Sequence, residues 1–147
     1  MRNSELRAEL DALCSRFGLA DMYVFGSRAE EVAARVRGEP DGVAVTRLSS
    51  DIDIGVQPLP GARLGGDDVV RLTQELECLF EAPRVDLVVL PGSKAFLALD
   101  VIRGELLYCS DRDAQSEHEL YVLRRAGDLA PFQKAREELV LSRYLER

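Results

Sequence analysis

The stretch Ser50-Asp51-Ile52-Asp53-Ile54-Gly55-Val56 decides how this chain is read. Polar and apolar residues alternate through it, the period of a half-buried strand, in which residues two apart point to the same face. Ile52, Ile54 and Val56 therefore face a core, and Asp51 and Asp53 stand side by side on the other face. Two carboxylates that close repel each other unless something positive sits between them. A hard divalent cation answers that need, and Mg²⁺ takes carboxylate oxygens together with substrate phosphates. A bare pair of this kind also occurs on edge strands with a solvated acidic face, so the flanking sequence has to decide.

Toward the C-terminus, Val85-Asp86-Leu87-Val88-Val89-Leu90 is an apolar strand interrupted by one carboxylate, expensive if buried alone. Placed beside the first strand, Asp86 adds a third carboxylate. Three carboxylates from two neighbouring strands can hold two ions that clamp the attacking and leaving oxygens of phosphoryl or nucleotidyl transfer. The alternative for Asp86 is a strand end that points to water. Toward the N-terminus, the β-prone Met22-Tyr23-Val24-Phe25 runs into Gly26-Ser27, and helix-formers follow from Ala29 to Arg37. Such a junction aims backbone N–H groups and the Ser27 hydroxyl at an anion, and Gly26 lets a phosphate come close to the backbone. Arg28 could pair with phosphate oxygens, although an exposed arginine on a helix reads the same way.

The other elements follow from periodicity and breakers. Leu6, Leu10, Leu13 and Phe17 mark an amphipathic helix stopped by Gly18. Asp67 is placed to cap a helix with Val69, Leu72, Leu76, Leu79 and Phe80 on one face. Ser93 opens a helix through Phe96, Leu97 and Val101 that Gly104 stops, and Leu106-Leu107-Tyr108 reads as a short last strand. From Arg112 the pattern predicts two helical segments, broken between Gly127 and Pro131. Their apolar residues, Leu120, Leu123, Phe132, Leu139, Leu141 and Tyr144, would pack on the sheet or pair with another chain. Between Ser27 and Asp51 lie 23 residues. Gly38 to Ser50 reads as a mobile loop, with room for a brief strand at Val43-Ala44-Val45.

The chain of 147 residues suits one domain, residues 1–147, with a core at 20–108 and a helical tail at 111–147. Strands and helices are mixed, so the chain is a single α/β or α+β domain. The formal net charge of -7 repels a long phosphate backbone and argues against bulk nucleic acid as ligand. No apolar run approaches the ~18 residues that span a bilayer, so no membrane association is expected. Cys14, Cys78 and Cys109 are far apart and in no CxxC spacing, which points to a reducing, cytoplasmic setting and to cysteines that act as small hydrophobes. The single histidine, His118, lies in a charge-dense tail and reads as solvated surface. Lys94 reads as a surface lysine and Arg124-Arg125 as two charges on a helix face.

Phe25-Gly26-Ser27-Arg28-Ala29, then Ser50 to Val56, then Val85-Asp86-Leu87-Val88 together resemble the minimal nucleotidyltransferases of the DNA-polymerase-beta superfamily, the MNT type. That family carries a Gly-Ser turn, a DxD strand and a third Asp on a following strand, in that order. The segment Leu99 to Tyr108 also resembles its closing helix and strand, so the likeness covers roughly residues 20–108. The resemblance implies a polymerase-beta-like α+β fold (mixed α/β sheet), a small mixed sheet flanked by helices, with two Mg²⁺ ions and an NTP, usually ATP. Asp51, Asp53 and Asp86 would be the metal ligands and catalytic residues, and Gly26, Ser27 and Arg28 would face the nucleotide. It also implies an antitoxin that transfers AMP to a tyrosine of a helical HEPN-type ribonuclease toxin, in a hetero-oligomer or homo-oligomer. The spacing departs from the family, whose compact members have a shorter segment between the Gly-Ser turn and the DxD.

Two other functions stay in view. A non-catalytic antitoxin would neutralise its partner by contact alone, and would have no need for three converging carboxylates. A small-molecule nucleotidyltransferase of the aminoglycoside-modifying sort would carry a larger second domain than this length supplies.

Overall fold

The computed structural model describes residues 3–39 and 51–145. The loop and brief strand expected within residues 40–50 lie outside the described residues. In chain order the elements are α1 (Asn3–Arg16), β1 (Leu19–Phe25), a short 3-10 turn (Gly26–Arg28), α2 (Ala29–Arg37), β2 (Ile52–Pro58), α3 (Gly66–Phe80), β3 (Val85–Val89), α4 (Ala95–Ile102), β4 (Glu105–Cys109) and α5 (Arg112–Leu145). The strands form one mixed sheet in the order β3-β2-β1-β4. β1 runs antiparallel to both β2 and β4, and β2 and β3 are parallel across α3.

The alternation in β2 sorts the two faces of the sheet. Ile52, Ile54 and Val56 are fully buried against α1, α2 and α3, with Leu10, Val32, Leu72, Leu76 and Phe80 in the same cluster. Burying each such side chain is worth about 1.5–3 kcal/mol. The opposite face carries Tyr23 under α4 and α5, together with Ala98, Val101 and Val122. Gly55 is on this face, and a Cβ there would strike the Val101 side chain. A glycine in the strand is thus what lets α4 lie down on the sheet.

Four expectations are corrected. The α3 terminus is capped by Asp68, whose Oδ2 accepts the Gly65 N–H at 3.0 Å, and not by Asp67. At α4 the N-cap is Lys94, while the Ser93 hydroxyl donates to the Leu90 carbonyl. The buried face of α4 is Ala95, Ala98 and Val101, leaving Phe96 and Leu97 at the surface, because Val101 seats on Gly55 and turns that face of the helix to the sheet. The tail is one helix of 34 residues that runs through Pro131. Proline removes one donor but kinks rather than ends a helix whose flanks favour it. Beyond Ala126 every described residue of α5 is exposed, Phe132 at 73% and Tyr144 at 77%. Gln115, Val122 and Ala126 make the contact with the sheet face that Leu120 and Leu123 do not. Among the described residues, no helix is long and apolar enough to cross a membrane.

Candidate functional site

β1 ends at Phe25, and the chain turns at once through Gly26, whose φ of +77° is in the left-handed region that glycine adopts without cost. Phe25 is paired with Asp53 across the β1–β2 ladder. The turn therefore passes directly over the Asp53 side chain. A Cβ on Gly26 would stand 2.5 Å from Asp53 Oδ2. Ser27 follows, exposed, and the Ala29 N–H bonds back to the Gly26 carbonyl to close the turn into α2.

On the other side of β2, Asp53 lies in register with Asp86 of the parallel strand β3. Asp51 immediately precedes β2 and is exposed. Asp53 is half-buried, and its carboxyl is held above the usual range first by burial, then by the charges of Asp86 and Asp51. The structure brings Gly26, Ser27, Asp53 and Asp86 to one end of the sheet, with Asp51 close enough for its charge to be felt. Asp86 is not free of partners: its Oδ1 accepts from Arg84 Nη2 at 3.0 Å. Among the described residues, no group of three or more His, Cys, Asp or Glu side chains is arranged to hold a metal ion.

Arg28 stands apart from this cluster. It is buried, 5% exposed, and paired with Glu31 Oε1 at 2.7 Å in the first turn of α2. The expectation of an exposed arginine is corrected. Sequence reading passed over another cation. Arg103, at the C-terminus of α4, borders a cavity of about 740 Å³ with Phe25, Gly26, Ser27 and Glu30. It forms no ion pair with any described residue. Gly104 makes this approach possible, since a Cβ there would collide with the Val24 carbonyl and Phe25. The signal was that glycine just after an arginine at a helix end, which reads equally as an ordinary helix stop.

His118 also departs from expectation. It is half-buried on the inner side of α5, and burial lowers its pKa. Beside it, Asp21 and Tyr23 are buried in the central strand β1, two polar groups that sequence periodicity did not single out.

No family model matches the sequence, and no curated protein does. Solved structures do match its shape. A chain of a mutant MntA–HepT toxin–antitoxin complex, in which two aspartates are replaced by glutamate, aligns with a TM-score of 0.70 and 19% identity over 92% of this chain and 98% of its own. A toxin–antitoxin structure with AMP-PNP aligns at 0.69 and 20% identity, with the same coverage of 92% and 98%. A structure of tri-AMPylated Shewanella oneidensis HEPN toxin with MNT antitoxin aligns at 0.61 and 20% identity over 95% and 97% of the two chains. The mixed sheet, its flanking helices and these superpositions agree: the chain has the fold of the minimal nucleotidyltransferases of MNT antitoxin type.

Proposed function

We propose that this protein is a Mg²⁺-dependent nucleotidyltransferase that moves AMP from ATP to a tyrosine hydroxyl of a HEPN-type helical toxin, and so acts as its antitoxin. The observation that carries this reading is the seating of Asp53 in register with Asp86 and directly beneath the Gly26-Ser27 turn. Carboxylates and a phosphate-binding turn at that separation suit a triphosphate whose charge is shared between metal and backbone donors. The matched structures, one with AMP-PNP and one with an AMPylated HEPN toxin, support the choice of nucleotide and acceptor.

The donor set fits Mg²⁺. Asp51, Asp53 and Asp86 offer hard oxygen ligands, and the repulsion that holds the Asp53 proton is what a bound cation would relieve. When bound, Mg²⁺ supplies charge neutralisation at the transferred phosphoryl group. The chain's own residues do the rest. Gly26 and Ser27 present backbone N–H groups and a hydroxyl to the outer phosphates, and Arg103 adds a cation at the rim. The acceptor oxygen bonds to the α-phosphorus as the bond to the β-phosphate oxygen breaks. Pyrophosphate leaves, and the hydroxyl proton passes to a carboxylate of the cluster. Asp86 enters once its pairing with Arg84 opens.

A second reading is favoured by that Arg84–Asp86 pair, which already neutralises one carboxylate without metal. It is a binding-only antitoxin. One experiment separates the two. The protein is incubated with Mg²⁺, ATP labelled at the α- or γ-phosphate, and a HEPN-type toxin from the same genome. Label on the partner from the α-position only, lost when Asp51, Asp53 and Asp86 are all replaced by Asn, is the expected result. Transfer of γ-label would make the protein a kinase. No transfer, with the triple variant still neutralising the partner, would establish the binding-only reading.

A further inference from the structure

At the opposite end of the same sheet face, four residues along β1 from the Asp53 level and about 13 Å away, lies a second cavity of about 810 Å³. Its size is within the range of small-molecule sites. Leu59, Leu64, Val89 and Pro91 give it apolar walls. Val101, seated on Gly55, separates it from the carboxylate cluster.

The polar residues that border this cavity have a common character. Asp21 is 3% exposed in the central strand β1, paired in the ladder with Gln57 on one side and Cys109 on the other. Its carboxylate has no hydrogen bond and no ion pair with any described residue. Gln57 Oε1 and His118 Nδ1 are both buried without a hydrogen-bond partner, and both residues border this cavity. Asp111 lies at the start of α5, one turn before Ala114 and two before His118 on the same wall. Asp111 Oδ1 already accepts from the Asp113 and Ala114 N–H groups at 2.9 and 3.4 Å, whereas Asp21, Gln57 and His118 keep acceptors to spare: a carboxylate, an amide oxygen and a neutral imidazole nitrogen. Buried polar atoms are almost always satisfied, and a buried carboxylate without a cation is costly. The neighbouring Tyr23 hydroxyl is no candidate to satisfy them, since it already donates to Glu119 and accepts from Gln115. Arg63, the one cation on the cavity wall, is exposed and forms no ion pair with Asp21.

We propose that this cavity is a second binding site, distinct from the carboxylate cluster, that takes a guanidinium group on a short apolar arm. A buried carboxylate with no cation paired to it, beside further acceptors, calls for a cation with several N–H groups, and the guanidinium carries five in a rigid planar fork. Asp21 receives the charge, Gln57 and His118 take further N–H groups, and the apolar walls hold the arm. A free small molecule and an arginine side chain of a partner protein offer the same chemistry.

Calorimetric titration of the full chain at constant ionic strength tests this with three probes: butylguanidinium, the neutral isostere N-butylurea, and the blocked tripeptide acetyl-Ala-Arg-Ala-amide. Butylguanidinium binds saturably and N-butylurea does not. Asp21→Asn lowers the affinity by about tenfold or more while remaining folded, because it removes a charged acceptor. Gln57→Leu weakens binding less, and Asp51→Asn with Asp53→Asn leaves it unchanged, so this site and the transferase reading stand or fall separately. Binding of the tripeptide at least as tight as that of butylguanidinium assigns the site to a partner's arginine; binding of the free compound alone assigns it to a small molecule. Absence of saturable binding by both guanidinium probes, equal binding to Asp21→Asn, or equal binding of N-butylurea would overturn the proposal.

Discussion

The Asp53 carboxylate occupies the space where any side chain at position 26 would have to begin, with Oδ2 2.5 Å from a Cβ built on Gly26. The turn and the carboxylate are two parts of one site, and glycine serves both the left-handed backbone and the close approach. Gly26→Ala should therefore cost about 1–2 kcal/mol of stability from backbone strain. Displacing the Asp53 carboxylate should cost more than about tenfold in transfer rate, since small misplacements of reacting groups are expensive. Denaturant unfolding and α-label transfer measure the two effects separately.

Asp53 is held protonated above its ordinary range by burial and by Asp86 and Asp51. A raised folded-state pKa means that stability falls as pH climbs through it, because the folded chain gives up its proton less readily. Asp53→Asn should flatten that fall in the metal-free protein and raise its melting temperature slightly at neutral pH. The same variant should abolish the stabilisation by Mg²⁺ with ATP, which reaches about 2.7 kcal/mol at a hundredfold excess over Kd. A full metal-dependent shift in the variant would place the metal elsewhere.

Asp21 gives a second, sharper pH signature. Burial, and then the charges of Glu119 and Asp111, push its carboxyl up to about 6 from an ordinary 3.8. Between those values the folded chain binds a proton that the unfolded chain has lost, so stability is greatest below the lower value and declines as pH rises through about 6. Asp21→Asn should stabilise the protein at pH 7.5 by about 1–2 kcal/mol, water in the adjoining cavity screening part of the full shift, and should have little effect near pH 4. Urea unfolding at the two pH values decides this.

Arg84 competes for Asp86. The arginine is 67% exposed and the carboxylate 42%, so breaking the pair should change stability by less than about 1 kcal/mol. Releasing Asp86 should tighten Mg²⁺ binding by about 2- to 5-fold, the equilibrium equivalent of a surface pair of this strength. Titration of Arg84→Gln with Mg²⁺ in the presence of AMP-PNP is the measurement; weaker binding than wild type would mean that Arg84 supports the site.

The distal half of α5 contributes no buried residue beyond Ala126. Deleting residues 131–147 should leave the unfolding free energy within about 0.5 kcal/mol. If the partner docks on the exposed Phe132, Leu139 and Tyr144, the same deletion should weaken binding of the HEPN-type protein by about tenfold or more. Pull-down and calorimetry with that protein test it.

Much of the site was legible because its signals are local. A period of two leaves no choice about which side Asp53 and Ile54 take, and a glycine before a serine at a strand end needs only its neighbours to be read as a turn. The same local reading brought out the strand with Asp86 and the stops at Gly18 and Gly104, while the parallel pairing of that strand came only with the fold. Periodicity says which residues share a face, but not what stands opposite that face. Phe96 and Leu97 looked like the buried side of α4, yet Val101 seats on Gly55 and turns the face with Ala98 to the sheet. Arg28 lay next to the turn in sequence but folds back onto Glu31, while Arg103 arrives from the far end of α4. Asp21, Gln57 and His118 converge from three separate elements through strand register and the path of α5. The sequence by itself determined the strand carrying the aspartates, the Gly26-Ser27 turn and the mixture of strands and helices, since those depend on contacts a few residues long. Only the tertiary structure decided which cation faces the turn, that Asp86 is paired with Arg84, and that a second cluster of acceptors exists, because those depend on which distant segments the sheet register sets side by side.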